Sequence, residues 1–422
     1  RVSMITRKRL LHGNTFAILR SPCRSFHGYH RLLTSQIISH YEAIHQYKKE
    51  LPKYFNFASD VLDEWSQLEK VVFFFFFSIA HYFFPGIIFV PGTSQLTAKD
   101  ILYRLQASKA KCIITSDTLA PAVESVVPDS QFLKSKLIVG KGSRDGWLNL
   151  KELVAVASAE HKCVKTRSQD PMLIYFTSGT TGFPKMVVQS HSSYGIGLVS
   201  GGRRWMNLTP SDIMWNTSDT GWAKAAWGSV FAPWICGSCV FVHHMPQFKP
   251  AVIAETLSRY PITTFCTAPT AYRMLVQHDL SRYKMMSLKH CISAGEPLNP
   301  EMMAKWKSQT GVDIHEGYGQ TETVTICANM KGTKIKPGSL GKAVPPYDVQ
   351  VRRYVAVGAD TSSLSPRYRI GPFEVESALI EHPAVAESAV VSSPDPDRGE
   401  VKRKRAKMWK EMLFKHQVAY MS

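Results

Sequence analysis

Short apolar runs alternate with helix-spaced apolar positions along this chain. Met172 to Phe176 reads as a buried strand, and Cys112 to Thr115, Lys136 to Val139 and Val240 to Val242 read as short strands. Leu96 to Tyr103 has a helix-like pattern, and the amphipathic stretch Pro300 to Trp306 precedes the apolar-polar run Val312 to His315. The alternation continues through Pro261 to Phe265, Tyr272 to Gln277 and Leu288 to Ile292. Strands interleaved with helices predict a layered α/β large domain. Phe373 to Ile380 has an amphipathic helix pattern whose start Pro372 can preorganise. One run stands apart: 71–90, VVFFFFFSIAHYFFPGIIFV, holds no Asp, Glu, Lys or Arg and is long enough to enter a bilayer, although Pro85 and Gly86 interrupt it.

Two polar, glycine-bearing segments carry the candidate chemistry. In YFTSGTTGFPK, 175–185, Gly179 and Gly182 permit a tight turn and close backbone approach. Thr177, Ser178, Thr180 and Thr181 supply donors, exposed backbone N–H groups can form an anion-binding nest, and Lys185 adds a mobile positive charge. An ordinary Ser/Thr/Gly loop has the same composition. The segment is not a Walker A loop, which needs lysine directly after its second glycine. In GYGQTET, 317–323, two glycines flank a flexible turn beside Gln320, Thr321 and Glu322. A carboxylate next to a hydroxyl is what Mg2+ and a phosphate require, because magnesium is reached through oxygen ligands and waters. A solvated surface glutamate is the plain alternative for Glu322.

Together these segments resemble the adenylate-forming (AMP-binding) superfamily and, within it, the medium-chain acyl-CoA synthetases. The resemblance covers NFASDVLDEWSQLEK at 56–70, nearly all of 89–350 including SAGEPLNP and EGYGQTET, and 368–400 including YRIGPFEVESALIEHPAVAESAVV. It implies an α/β fold, an incomplete multi-lobed AMP-binding large domain over 42–350 followed by a remnant of a small α+β domain over 368–401. Between them lies a divergent junction at 351–367. It also implies that Thr177, Ser178, Gly179, Thr180, Thr181, Gly182 and Lys185 close over ATP phosphates. Gly295, Glu296 and Pro297, with Glu316, Gly317, Tyr318, Gly319 and Gln320, would then bind adenine and ribose. Thr321 matches the phosphate-contacting threonine and Glu322 the Mg2+ ligand, so both are catalytic candidates.

The implied substrates are a carboxylic acid, ATP and CoA. Trp222, in TSDTGWAKAAWGS, matches a tryptophan at the family's acyl tunnel, while Trp227 reads equally as core. Tyr368, Arg369 and Gly371 match part of the segment associated with CoA. The implied reaction is attack of a medium-chain fatty acid, or a related acid, on the α-phosphorus of ATP, followed by transfer to CoA. That chemistry asks for alignment and donors rather than a side-chain nucleophile. A buried methylene in the tunnel is worth about 0.8 kcal/mol, too little to separate neighbouring chain lengths absolutely.

Departures from the family pattern open a second function class. Most of what the family places between the counterparts of Lys70 and Phe89 is absent, and 71–90 reads as an atypical insertion. After Val351 neither the ribose-binding aspartate motif nor the hinge is evident, Arg367 stands where the family has glycine, and the terminal lysine motif has no match after Arg398. A catalytically impaired nucleotide- or acyl-binding derivative is therefore the alternative expectation.

Charge adds a little. The net +18 is concentrated at the ends, +7 over residues 1–41 and +6 over the divergent tail 402–422, so no global nucleic-acid-binding face is implied. KRKRAK, 402–407, is compatible with nonspecific contact to nucleic acid or peripheral contact to an anionic membrane, but no RNA-recognition or zinc-finger framework accompanies it. Residues 1–41 are acid-free and arginine-rich, the pattern of a mitochondrial targeting segment, with the matrix as destination. Eight cysteines without a short-spaced framework fit a reducing compartment. Cys236 and Cys239, with His243 and His244 downstream, read as buried thiols rather than as a zinc site.

Overall fold

The computed structural model describes residues 16–19, 29–65, 86–140, 142–158, 163–177, 184–245 and 247–349, together with the strand backbones 385–395, 399–408 and 419–420. An edge strand β1 (Phe16–Leu19) and a helix α1 (Tyr29–His45) come first. Helix α2 (Ala98–Ser108) follows, then three short strands, β2 (Cys112–Ser116), β3 (Ser135–Val139) and β4 (Leu148–Asn149). Strands β5 (Pro171–Thr177) and β6 (Lys185–Ser190) form an antiparallel hairpin. Beyond it lie β7 (Ile213–Asn216), α3 (Ala223–Ala226), β8 (Cys239–His243), α4 (Pro250–Arg259), β9 (Thr264–Thr267) and α5 (Pro269–Leu275). The run closes with β10 (His290–Ala294), α6 (Pro300–Thr310), β11 (Ile314–Gln320), β12 (Val324–Ala328) and β13 (Lys342–Ala343).

The main sheet has the order β1-β8-β7-β9-β10-β11-β12-β13, with β8, β7, β9, β10 and β11 parallel and the strands beyond them antiparallel. Successive strand residues point to opposite faces, and here both faces are apolar, as a doubly covered parallel sheet requires. Ile213, Trp215, Phe265, Cys291 and Ile314 pack against α4, α5 and α6 on one side. Met214, Cys266 and Ile292 join the opposite core with Trp205, Trp227 and Phe231. That second core also takes in Ile38, Tyr41 and Ile44 of α1, a helix that runs through position 41.

The lobe built on β2-β3-β4 has a core of its own, centred on Ile101, Leu105, Val123 and Trp147. Glu124 fastens it by accepting two hydrogen bonds from Arg144 and one from Trp147 Nε1 at 2.9 Å. Those partners hold its carboxyl down to about 2. Phe89, just past the apolar run, pairs with β5: its N–H donates to Met172 O at 2.9 Å and its carbonyl accepts from Ile174 N–H at 2.7 Å. Most of 71–90 lies outside the described residues, among which no helix is long and apolar enough to cross a membrane.

Two boundaries differ from the pattern-based expectation. Helix α2 starts at Ala98, because the Thr97 hydroxyl caps Asp100 N–H and the Asp100 carboxylate returns to Thr97 N–H. Leu96 therefore precedes it. Strand β9 starts at Thr264 and not at Pro261, which has no N–H to give a ladder. Residues 350–422 form a second compact unit, in which β14 (Val385–Asp395) pairs with β15 (Gly399–Met408) and β15 with β16 (Ala419–Tyr420). The basic run 402–407 lies within β15. Phe373 to Ile380, Tyr368, Arg369 and Gly371 fall outside the described residues.

Trp306 is fully buried, edge-on to Tyr272 at 4.9 Å and stacked on Phe265 at 6.5 Å. Trp306→Ala should cost about 3–5 kcal/mol of stability, read as a lowered urea midpoint with the slope unchanged.

Candidate functional site

Strand order fixes where a ligand can reach this sheet. The chain leaves β7 for β8 on one side and then returns past β7 to β9, so the carboxyl ends of β7 and β9 diverge into a crevice, the usual ligand position in open α/β sheets. Thr217, just after β7, and Thr267, the last residue of β9, join across that gap through their hydroxyls at 2.6 Å. Lys224 lies over the same edge. Its Nζ donates to Thr267 O at 3.1 Å and to Ala294 O, the end of β10, at 2.8 Å. An open groove of about 730 Å3 lies at the amino-terminal ends of the strands, near Lys289, Asp313 and Lys331, and contains none of the expected site residues.

Gly295, Glu296 and Pro297 form an exposed loop directly after β10, with Gly295 at φ +105°. Ala294 is in register with Gly317 of β11, which brings this loop beside the second motif. Glu316 is buried and turned inward, where its Oε1 accepts Leu298 N–H at 2.9 Å. The loop is thereby braced against the strand. Burial raises the Glu316 carboxyl to about 7, an effect the Leu298 hydrogen bond only partly opposes.

The GYGQ residues are not at a turn, as the sequence suggested, but in β11 itself; the turn is Thr321 to Thr323. The glycines serve close packing. A Cβ on Gly317 would lie 2.5 Å from the Trp205 ring, and one on Gly319 would lie 1.6 Å from Val324 O on the neighbouring strand. Val324 leaves the turn at φ +59°, a strained conformation for a β-branched residue. Thr321 is half-buried, and Glu322 is exposed at the tip.

The hairpin carrying the first motif meets this turn through one side chain. Gln189 of β6 is buried, and its Nε2 donates to Thr321 O at 2.6 Å while its Oε1 accepts Ser193 Oγ at 2.8 Å. Thr177 and Lys185 pair across the hairpin, so the Lys185 backbone is fixed in β6 although its side chain is exposed. Ser178, Gly179, Thr180, Thr181 and Gly182 lie outside the described residues. Next to the latch, the buried Tyr194 hydroxyl has no hydrogen-bond partner among the described residues. Its pKa is raised chiefly by burial, with Tyr175 and Glu322 adding to the effect.

Of the two tryptophans, Trp222 is 60% exposed at the start of α3, whereas Trp227 is buried beside Trp205 at 5.6 Å. Cys236 and Cys239 are both buried, and burial pushes the Cys236 thiol up to about 12. No group of three or more metal-ligating side chains occurs among the described residues.

Residues 76–357 match the AMP-binding enzyme family, and residues 374–402 match the AMP-binding enzyme C-terminal domain. The chain belongs to the AMP-binding enzyme family. It is 45% identical over 518 aligned positions to the human mitochondrial acyl-coenzyme A synthetase ACSM3, covering 95% of this chain and 88% of that protein. Human ACSM4 is 47% identical, with 91% and 86% covered. Since this chain holds only 422 residues, those relatives carry segments that it lacks. In fold it resembles the anthranilate CoA ligase AuaEII, solved with anthranoyl-AMP, at a TM-score of 0.68, 23% identity and 90% and 82% coverage. ATP-bound MatB from Rhodopseudomonas palustris gives 0.64, 20%, 79% and 76%.

Sequence reasoning missed Gln189, Tyr194 and Lys224. A lone lysine in the small apolar run WAKAAW, and a glutamine at an inward position of β6, were the available signals. Gln189→Ala removes the link between hairpin and turn, and should weaken ATP binding roughly fivefold in a titration, with faster amide exchange over residues 320–324. Glu316 should make the wild type lose stability as pH rises from about 4.5 to about 7, because the folded state binds its proton more tightly than the unfolded one. Glu316→Gln keeps the Leu298 contact and cannot ionise. It should therefore be more stable than wild type at pH 8, with the gap closing towards pH 5 in urea melts.

Proposed function

We propose that this chain descends from, and retains the binding apparatus of, an ATP-dependent medium-chain fatty acid:CoA ligase that works through an acyl-adenylate. The observation that carries the proposal is the Gln189 latch, which brings the hairpin bearing the 177–185 loop against the Thr321–Glu322 turn. In this reading Thr177, Ser178, Gly179, Thr180, Thr181, Gly182 and Lys185 surround the phosphates. Gly295, Glu296 and Pro297 and residues 316–320 hold the nucleoside, and Thr321 contacts phosphate. Glu322 is exposed and single, a donor set that fits Mg2+, which takes one or two carboxylates and completes its shell with phosphates and water. When bound, Mg2+ supplies charge neutralisation at the transferring phosphoryl group. The same reading gives Trp222 a role at the acyl entrance and gives Tyr368, Arg369 and Gly371 the CoA-binding role. The mitochondrial names of the relatives support a matrix location and a targeting role for the start of the 1–41 segment, whose last residues, Ile38 and Tyr41, belong instead to the core.

The segments that the relatives carry and this chain lacks favour a second reading, in which the chain binds nucleotide or acid but turns over poorly. In that reading the domain is a truncated AMP-binding unit over 42–350 with an atypical 71–90 insertion, a 351–367 junction, a 368–401 remnant and a basic 402–422 tail.

The test is an assay of the full chain, with intact mass confirmed, for pyrophosphate release and acyl-CoA formation across short to long fatty acids. Low turnover with measurable ATP binding is expected. Robust turnover through both steps would overturn the impaired reading, and preference for amino or aryl acids would overturn the medium-chain assignment. Glu322→Gln should weaken Mg2+-supported ATP binding while leaving the unfolding midpoint within about 0.5 kcal/mol of wild type; equal binding in both proteins removes Glu322 as the metal ligand.

A further inference from the structure

Lys224 is a cation held at the crevice without a counter-ion. Its ammonium carries three N–H donors. Two are taken by the carbonyls that end β9 and β10, at 3.1 and 2.8 Å, and the third has no partner among the described residues. Both partners are neutral, and Thr267 O is already shared with Ser293 Oγ at 3.0 Å. No carboxylate comes within ion-pair distance of Nζ among the described residues; Cys266 and Glu296 act on it only at longer range. Partial burial pulls its pKa below the usual lysine value. An ammonium withdrawn from water without an opposite charge is costly, and an anion entering the crevice offsets that cost.

The position narrows which anion fits. Lys224 lies two residues past the exposed Trp222, and its Nζ is anchored at the ends of β9 and β10 rather than at the hairpin that brings Lys185. Its neighbours on α3 are small and packed inward, Ala225 buried and Ala223 and Ala226 against the core.

We infer that the Lys224 ammonium is the counter-ion of the acid substrate's carboxylate, and is the group that selects acids over uncharged analogues of equal length. The inference deepens the ligase reading and rests on it. The two strand-end carbonyls aim the ammonium, and its free N–H meets a carboxylate oxygen.

Calorimetric titration of the full chain with ATP, octanoate and octanamide tests this. Wild type should bind octanoate about tenfold more tightly than octanamide, the worth of one hydrogen bond to a charged group. Lys224→Met should bring that ratio close to one with a smaller effect on ATP, and Lys224→Arg should recover part of it. A Lys224→Met protein that keeps the ratio, or loses both ligands in equal measure as a purely structural clip would, overturns the inference. Acetic anhydride labelling of wild type needs no variant to fold: octanoate should slow acetylation of Lys224 and octanamide should not, and equal labelling overturns the role. Wild type that binds ATP but neither octanoate nor octanamide overturns it as well. Wild type that binds none of the three overturns the ligase reading beneath it.

Discussion

Trp205 is the point to which the site-bearing elements are referred. Its ring has no exposure and lies so close to β11 that only glycine fits at position 317. Its Nε1 donates to His315 O at 3.0 Å, its own carbonyl accepts from His290 Nε2 at 2.7 Å, and its ring stands 5.6 Å from that of Trp227. One residue thus sets the spacing of β10, β11 and the helical segment that continues α3. Because a carbonyl only accepts, the His290 proton is on Nε2. Burial, with help from His315, pushes the His290 ring down to about 3 and keeps it neutral. A rigid aromatic contact with neutral hydrogen bonds resists changes in pH and salt that would move an ion pair. The strand ends that carry Ala294 and Gly317 inherit that fixity.

What is fixed at the strand ends is handed on to softer parts. The turn after β11 carries Glu322 outward, and its geometry requires Val324 to hold a backbone conformation that costs of order 1–3 kcal/mol. The Tyr347 hydroxyl holds Thr323 O at 2.7 Å, and Gln189 holds Thr321 O. These contacts hold the first and last carbonyls of one turn. Strain maintained by several independent contacts is a form of preorganisation, since the turn does not have to be arranged when a ligand arrives.

Strands were legible because short apolar runs bounded by polar residues mark them, which is why β5, β2 and β3 fall almost where the pattern put them. The motifs were legible as chemistry but not as geometry. Gly317 and Gly319 read as a turn because glycine is a turn residue in most contexts, yet here each answers to an atom distant in sequence, the Trp205 ring and Val324 O. Glu316 was expected among the residues that bind adenine and ribose, and its burial and its Leu298 partner were not legible. Lys224 was passed over for the same reason: the carbonyls that define it end two strands more than forty residues downstream. Long-range partners leave no local period in a sequence.

Packing is uneven in a way that bears on function. The β2-β3-β4 lobe has three short strands, and Ile114, Val139 and Leu148 on them are exposed. Such a sheet is marginal alone, in contrast to the main sheet with helices on both faces. The lobe nevertheless touches the β5-β6 hairpin. The Tyr103 hydroxyl donates to Pro184 O at 2.9 Å, one residue before β6, and the Arg104 guanidinium lies 5.1 Å over the Phe176 ring. Tyr103 and Arg104 thus tie this lobe to both arms of the hairpin. The two segments proposed to hold nucleotide are therefore supported differently: β10 and β11 by the main core, and the hairpin partly by a lobe whose apolar surface is only partly covered.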